Sequence, residues 1–103
     1  MYMKVYLIRN GEGFYKIGYT KHDVRYRMEQ LQTGSSSELE FIAECLVKHP
    51  TKVESALHRK YNQFHVLGEW FDLPDEIVEL FVDTASNTDD MFQSLIDSGN
   101  PFI

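Results

Sequence analysis

The chain has a single cysteine, Cys45, so no internal disulfide can staple it. Cys45 sits in the apolar run Phe41-Ile42-Ala43-Glu44-Cys45-Leu46-Val47, the setting of a buried strand thiol rather than of a nucleophile. No Cys/His spacing suggests zinc. No apolar run approaches the roughly 20 residues of a membrane span, and the N-terminus lacks the apolar stretch of a signal peptide, so a cytoplasmic protein is expected. Basic residues are missing from the last third: beyond residue 67 there is no lysine or arginine. Residues 1–67 hold ten Lys/Arg against seven Asp/Glu, a net +3, and residues 68–103 hold nine acids, a net −9. The formal charge of −6 therefore does not exclude a phosphate-bearing partner, because local sign governs phosphate contacts. It does limit the first two-thirds to weak, salt-sensitive binding. No zinc finger, helix-turn-helix or basic arm is present to add sequence recognition.

What is present suffices for one packed domain. The 103 residues are 43% hydrophobic and 14% aromatic. Met3 to Arg9 and Phe14 to Tyr19 read as the strands of a hairpin, with Gly11-Glu12-Gly13 supplying positive φ in the turn. Val5, Leu7, Tyr15 and Ile17 share one face; Tyr6, Lys16 and Gly18 form a polar row on the other. Thr20 or Asp23 can cap a helix carrying Val24, Met28 and Leu31, which ends near Thr33-Gly34 with glycine as its C′ residue. Ser35-Ser36-Ser37 is a polar loop. Leu39 to Val47 is a mostly apolar strand, expected to be central or well covered.

Pro50 starts a second helix with Val53, Leu57, Tyr61 and Phe64 inward. Gly68 precedes a short extended segment, Glu69 to Leu73. Pro74 opens a third helix with Ile77, Leu80 and Phe81 inward. Ser86 to Asp90 reads as a hinge before a short helix of Met91, Phe92, Leu95 and Ile96, and Gly99-Asn100-Pro101 closes the chain. The expected class is α+β, ordered β-β-α-β-α-β-α-α, with a three-stranded, largely antiparallel sheet flanked by helices. Residues 1–85 make the main domain; residues 86–103 make an acidic helix and tail packed on or near it.

Phosphodiester cleavage needs a base for the attacking water, positive groups for the developing charge and, commonly, a metal held by a carboxylate. Tyr6 can serve the water if its proton is drawn off, since a phenol is a weak base at neutral pH. Lys16 can bind phosphate or assist the phenol, and Arg27 offers a planar fork suited to phosphate oxygens. Glu54 suits Mg²⁺, which accepts one protein carboxylate plus waters and phosphate oxygens. Glu54 and His58 lie one helical turn apart and share a face, as a surface hydrogen bond or as part of a site. Singly, each of these residues is an ordinary packing or surface residue. Their ordered joint occurrence carries the reading.

The chain resembles the GIY-YIG endonuclease superfamily. Lys4-Val5-Tyr6 stands at the first motif and Lys16-Ile17-Gly18 at the second, nine residues apart. Arg27, within Arg27-Met28-Glu29-Gln30-Leu31-Gln32-Thr33-Gly34, matches the helix arginine. Glu54, within Val53-Glu54-Ser55-Ala56-Leu57-His58, matches the later glutamate, and Gly68-Glu69-Trp70-Phe71 completes the pattern of a short phage and microbial branch. The likeness covers residues 4–73. It implies hydrolysis with one Mg²⁺ or Mn²⁺ on Glu54, Tyr6 as activated phenol or general base, and Arg27 and Lys16 stabilising phosphate charge. Two positions depart from the pattern. Lys16 replaces a frequent tyrosine, and Leu31 stands where some homing enzymes carry histidine, leaving His58 as another source of an imidazole. Arg9, Lys21 and Arg25 are candidates for the nucleic-acid backbone. Trp70 and Phe71 are expected to close the core, with Glu69 a lesser candidate for the site.

The expected function is a metal-dependent endonuclease acting on DNA, with RNA open to the same chemistry. The alternative is a weak or inactive protein of this fold that works by binding. Its acidic C-terminal third, with Phe92, Leu95, Ile96 and Phe102, would then dock on a protein partner or a second copy, or cover the domain's own basic face.

Overall fold

The computed structural model describes residues 2–34 and 37–99. Ser35 and Ser36 of the expected loop, and Asn100, Pro101 and Phe102 of the expected tail, lie outside the described residues. Strand β1 spans Met3–Arg9 and β2 spans Tyr15–Thr20, paired antiparallel with Tyr6 opposite Gly18 and Ile8 opposite Lys16. Their turn is held by Asn10, whose Oδ1 accepts from the N–H groups of Glu12 and Phe14, both at 3.0 Å. Gly13 adopts φ 86°, as a turn of this kind requires; Gly11 does not take positive φ.

Helix α1 spans Val24–Thr33 and is capped by Asp23, whose Oδ1 accepts from the Arg25 N–H at 2.8 Å. The other candidate cap, Thr20, instead accepts from the His22 N–H at 3.1 Å within the connecting turn. Gly34 ends α1 at φ −98°, so the helix stops without the left-handed residue expected there. Strand β3 is Glu40–Val47, α2 is Pro50–Lys60, and a short 3₁₀ turn covers Asn62–Phe64. Strands β4 (His65–Leu67) and β5 (Trp70–Phe71) form a small second hairpin around Gly68, at φ 58°. Helices α3 (Asp75–Glu79) and α4 (Phe81–Asp97) complete the described chain.

The sheet is antiparallel with five strands in the order β3-β1-β2-β5-β4, two more than the sequence suggests. Strand β3 is an edge, not a central strand. Cys45 and Val47 point into the core, as the apolar run implies for the thiol, while Phe41 and Leu46 face solvent. One face of the sheet packs Val5, Leu7, Tyr15 and Ile17 against Val53 and Leu57 of α2 and Phe81 and Ala85 of α4. The opposite face is covered by α1 and is apolar as well: Tyr6 and Ile8 pack with Val24, Met28, Leu31, Leu39 and Trp70. The polar row expected around Tyr6 is therefore a second, smaller core.

The expected hinge at Ser86–Asp90 is absent. Helix α4 runs unbroken through it, because Ala85 and Asp89 both face inward. Leu80, expected inside, is exposed at the α3–α4 junction. Asp89 reaches the start of α2, which has no side-chain cap of its own. The Lys48 N–H donates to both Asp89 oxygens, at 3.1 and 3.0 Å, and the His49 N–H donates to Oδ1 at 2.9 Å. Asp89 thus pins from α4 the backbone that leads into α2, with a charge that suits the helix dipole. Asp89→Ala is expected to lower unfolding stability by about 1 kcal/mol in urea titrations, since it removes the acceptor of two part-buried donors. Asp89→Asn should retain part of that loss.

Candidate active site

Strand β5 pairs with β2 only at Tyr15 and Lys16, so the β2 edge from Ile17 onward has no strand partner among the described residues. That gap in the sheet lets groups from both faces converge. Helix α2 fills it with His58, whose Nε2 lies 2.9 Å from the Ile17 carbonyl oxygen. A carbonyl only accepts, so Nε2 carries the proton and donates. The ring also stands edge-on to Phe71, with centroids 5.0 Å apart. His58 therefore ties α2 to the open edge of β2.

One turn earlier on α2 lies Glu54, half-buried. Among the described residues its one ion-pair contact is His58 Nε2, at 3.9 Å, beyond hydrogen-bond range. Burial pushes the Glu54 carboxyl above its ordinary value, and Glu69 adds to the rise, while His58 and Lys16 oppose it. Glu69, placed just ahead of β5, pairs with the Lys16 ammonium. That hydrogen bond holds the Glu69 carboxyl below its ordinary value, with the charges of Lys16, His58 and Arg27 assisting against partial burial. Lys16 Nζ also lies 5.7 Å from the centre of the Trp70 ring. Arg27, on α1, donates from its guanidinium to Gln30 Oε1 at 3.3 Å and is close enough to Glu69 to act on its charge.

Gly18 matters here for space. A Cβ on it would lie 2.6 Å from Tyr6 Cζ and still closer to the phenol oxygen, so the ring can lie across β2 only because position 18 has no side chain. Tyr6 is 1% exposed. No buried side-chain oxygen or nitrogen among the described residues lacks a partner, so the Tyr6 hydroxyl is not sealed in the core unpaired.

Of the residues singled out in sequence, Lys16, Arg27, Glu54 and His58 are thus linked electrostatically around Glu69, and Tyr6 lies against Gly18 of the same strand. The three backbone-binding candidates do not form one group. Arg9 pairs with Tyr15 and shares its face of the sheet, its guanidinium 5.9 Å from that ring, whereas Lys16 is on the other face. Lys21 is exposed after β2, and Arg25 is exposed on α1. In sequence the aromatic neighbours Trp70 and Phe71 dominate the segment and mask Glu69 as a site residue. The Lys16–Trp70 register that carries it to the site is set by strand pairing alone.

The family model of the T5orf172 domain matches residues 3–86. The chain belongs to that family. The T5orf172 domain is phage-associated and related to endonuclease-like folds, and here the match takes in every residue of the site. No curated protein and no solved structure matches this T5orf172 domain. No helix among the described residues is long and apolar enough to cross a membrane.

Among those residues no three His, Cys, Asp or Glu side chains gather as a metal cage. A Mg²⁺ or Mn²⁺ ion does not need one, since such ions commonly keep several waters and take one or two carboxylates plus substrate phosphates. Glu54 fits that demand: it is a hard oxygen donor, half-buried, and among the described residues no hydrogen-bonded cation competes for it.

Proposed function

We propose that this T5orf172 domain hydrolyses phosphodiester bonds in DNA, using the GIY-YIG type of site. The observation that carries the reading is that Lys16 of β2, ion-paired with Glu69, and Glu54 of α2, one turn from the His58 that meets the Ile17 carbonyl, flank the point where β2 loses its strand partner. Two separated segments thus bring a cation and a weakly partnered carboxylate to one stretch of strand, and the charge of Arg27 on α1 acts on the same Glu69.

In the reaction a water oxygen bonds to phosphorus, a P–O bond breaks, and the water's proton must be taken up. Tyr6, held by the small core beneath α1, accepts that proton as its phenolate, and the leaving oxygen of the broken P–O bond takes a proton from solvent water. Arg27 and Lys16 face the charge that develops on the phosphoryl oxygens, which is where fixed positive groups lower a barrier most. Glu54 would hold Mg²⁺ or Mn²⁺, which supplies Lewis-acid polarisation of a phosphate oxygen when bound. His58 acts as a positioning residue, since its Nε2–H is committed to the Ile17 carbonyl and fixes the α2 turn that carries Glu54. Lys21 and Arg25, exposed around the start of α1, lengthen the surface available to a nucleic-acid backbone.

The test is incubation of the purified protein with supercoiled plasmid and with single-stranded RNA, in Mg²⁺, in Mn²⁺ and in a chelator. Nicking or cutting that requires the metal is the expected result, with the plasmid as the better substrate. Cleavage of RNA alone would move the substrate from DNA to RNA. Cleavage that persists in the chelator would remove the metal role of Glu54, and no cleavage of either substrate would overturn the reading.

A further inference from the structure

Lys16 and Glu69 form an unequal pair. The lysine side chain is 12% exposed and lies on a paired β-strand, whereas the glutamate side chain is 50% exposed and follows Gly68 in the tight β4–β5 turn. Beside that carboxylate, the ammonium lies over the face of Trp70. The cation is fixed and mostly enclosed; its anion is the half that can leave. Removing the carboxylate leaves this lysine without its ion-pair partner, which favours another anion in its place. Glu69 supplies that anion from within the chain.

We propose that Glu69 is a displaceable stand-in for substrate. In the free protein it holds the place of a phosphodiester oxygen on Lys16, and binding exchanges the carboxylate for the phosphate. The inference rests on the nuclease reading only for the identity of the incoming anion. A carboxylate on the same chain competes at high effective concentration, so an isolated anion displaces it poorly. A polyanion that also engages Arg27 displaces it readily, because several contacts then act together. Glu69 in this role filters ligands, favouring a continuous phosphate backbone over small anions.

The exchange is tested by binding in a chelator, which withholds the metal. Wild type, Glu69→Gln, Lys16→Gln and the double variant are titrated with a fluorescent DNA duplex and a single-stranded RNA over a range of salt. Glu69→Gln should bind about three- to tenfold tighter than wild type, with a salt slope steeper by about one. In the Lys16→Gln background the Glu69 change should give little gain. An equal gain in both backgrounds would make Glu69 a general repulsive charge and overturn the exchange. Where wild type binds either nucleic acid, no gain, or a loss, in Glu69→Gln would overturn it as well.

A second arm needs no nucleic acid. The Lys16 ε-methylene NMR signal, assigned by its loss in Lys16→Gln, is followed during titration with inorganic phosphate. It should respond at several-fold lower phosphate in Glu69→Gln than in wild type, and identical responses would refute the exchange. If this arm holds while neither nucleic acid binds any variant, the exchange stands and the nuclease reading falls.

Discussion

Replacing Glu54 by glutamine is expected to lower metal-dependent cleavage on the order of a thousandfold while leaving the fold intact. Glutamine keeps the size and both polar atoms of the side chain but loses the charge that would hold Mg²⁺ or Mn²⁺. The structural cost is small, because no hydrogen bond to the Glu54 carboxylate is made by His58, 3.9 Å away. Stability should even move the other way. Burial raises the Glu54 carboxyl above its ordinary value, so the folded state penalises the ionised form. Above that raised value, wild type carries a cost that glutamine lacks. Below the ordinary carboxylate range the residue is neutral both folded and unfolded, and the difference disappears. Denaturant titrations at neutral pH should place Glu54→Gln at or above wild type, and the gap should close in acid. A variant that loses cleavage because it unfolds would contradict this account, as would one that keeps cleaving.

The second large effect is expected at Gly18. Alanine in place of a strand glycine ordinarily helps by reducing the entropy lost on folding. Here the added Cβ would sit 2.6 Å from Tyr6 Cζ, and the Tyr6 ring is enclosed by Val24, Met28, Leu31, Leu39 and Trp70. The ring cannot step aside without disturbing that small core, so steric cost outweighs the entropic gain. Gly18→Ala should lose about 1–3 kcal/mol of stability, the range found for overpacked cores. It should also lose most cleavage, because the phenol is displaced. Tyr6→Leu combined with Gly18→Ala separates the two effects: trimming the ring should restore stability and leave cleavage absent. Recovery of cleavage in that double variant would remove Tyr6 from the chemistry, and a stable, active Gly18→Ala would show that the ring has room.

Local features were legible in the chain because local chemistry decides them. The β1–β2 hairpin follows from alternation around Gly11-Glu12-Gly13, of which Gly13 takes the positive φ; that Asn10 Oδ1 pins the turn is seen only in the structure. Helix α1 begins where Asp23 can accept from the Arg25 N–H, and α2 begins at Pro50, where a missing N–H costs nothing. The buried face of β1 and β2 followed from the same alternation. Lys16, Arg27, Glu54 and His58 could be singled out because their types and order suit phosphate chemistry.

Expectation and structure differ where partners distant in sequence decide the outcome. His65-Val66-Leu67 is exposed on every residue and becomes a strand only by pairing with β5. The polar stretch from Ser86 to Asp90 looks like a break, yet α4 runs through it, with Ala85 and Asp89 turned inward and Asp89 held to the backbone of His49, forty residues away. Strand β3 looks central by its apolar content but forms an edge, since β1 takes β2 as its other neighbour.

The sequence by itself determined the α+β class, the first three strands and two helices, and the residue types from which a phosphate site can be built. Those depend on period, caps and side-chain chemistry, all written in neighbouring residues. Only the tertiary structure decided that β5 stops short along β2 and leaves its edge open to α2, that Glu69 meets Lys16, and that Tyr6 lies buried across Gly18. Each of these is a contact between segments whose separation along the chain carries no record of their register, which packing of the two cores sets.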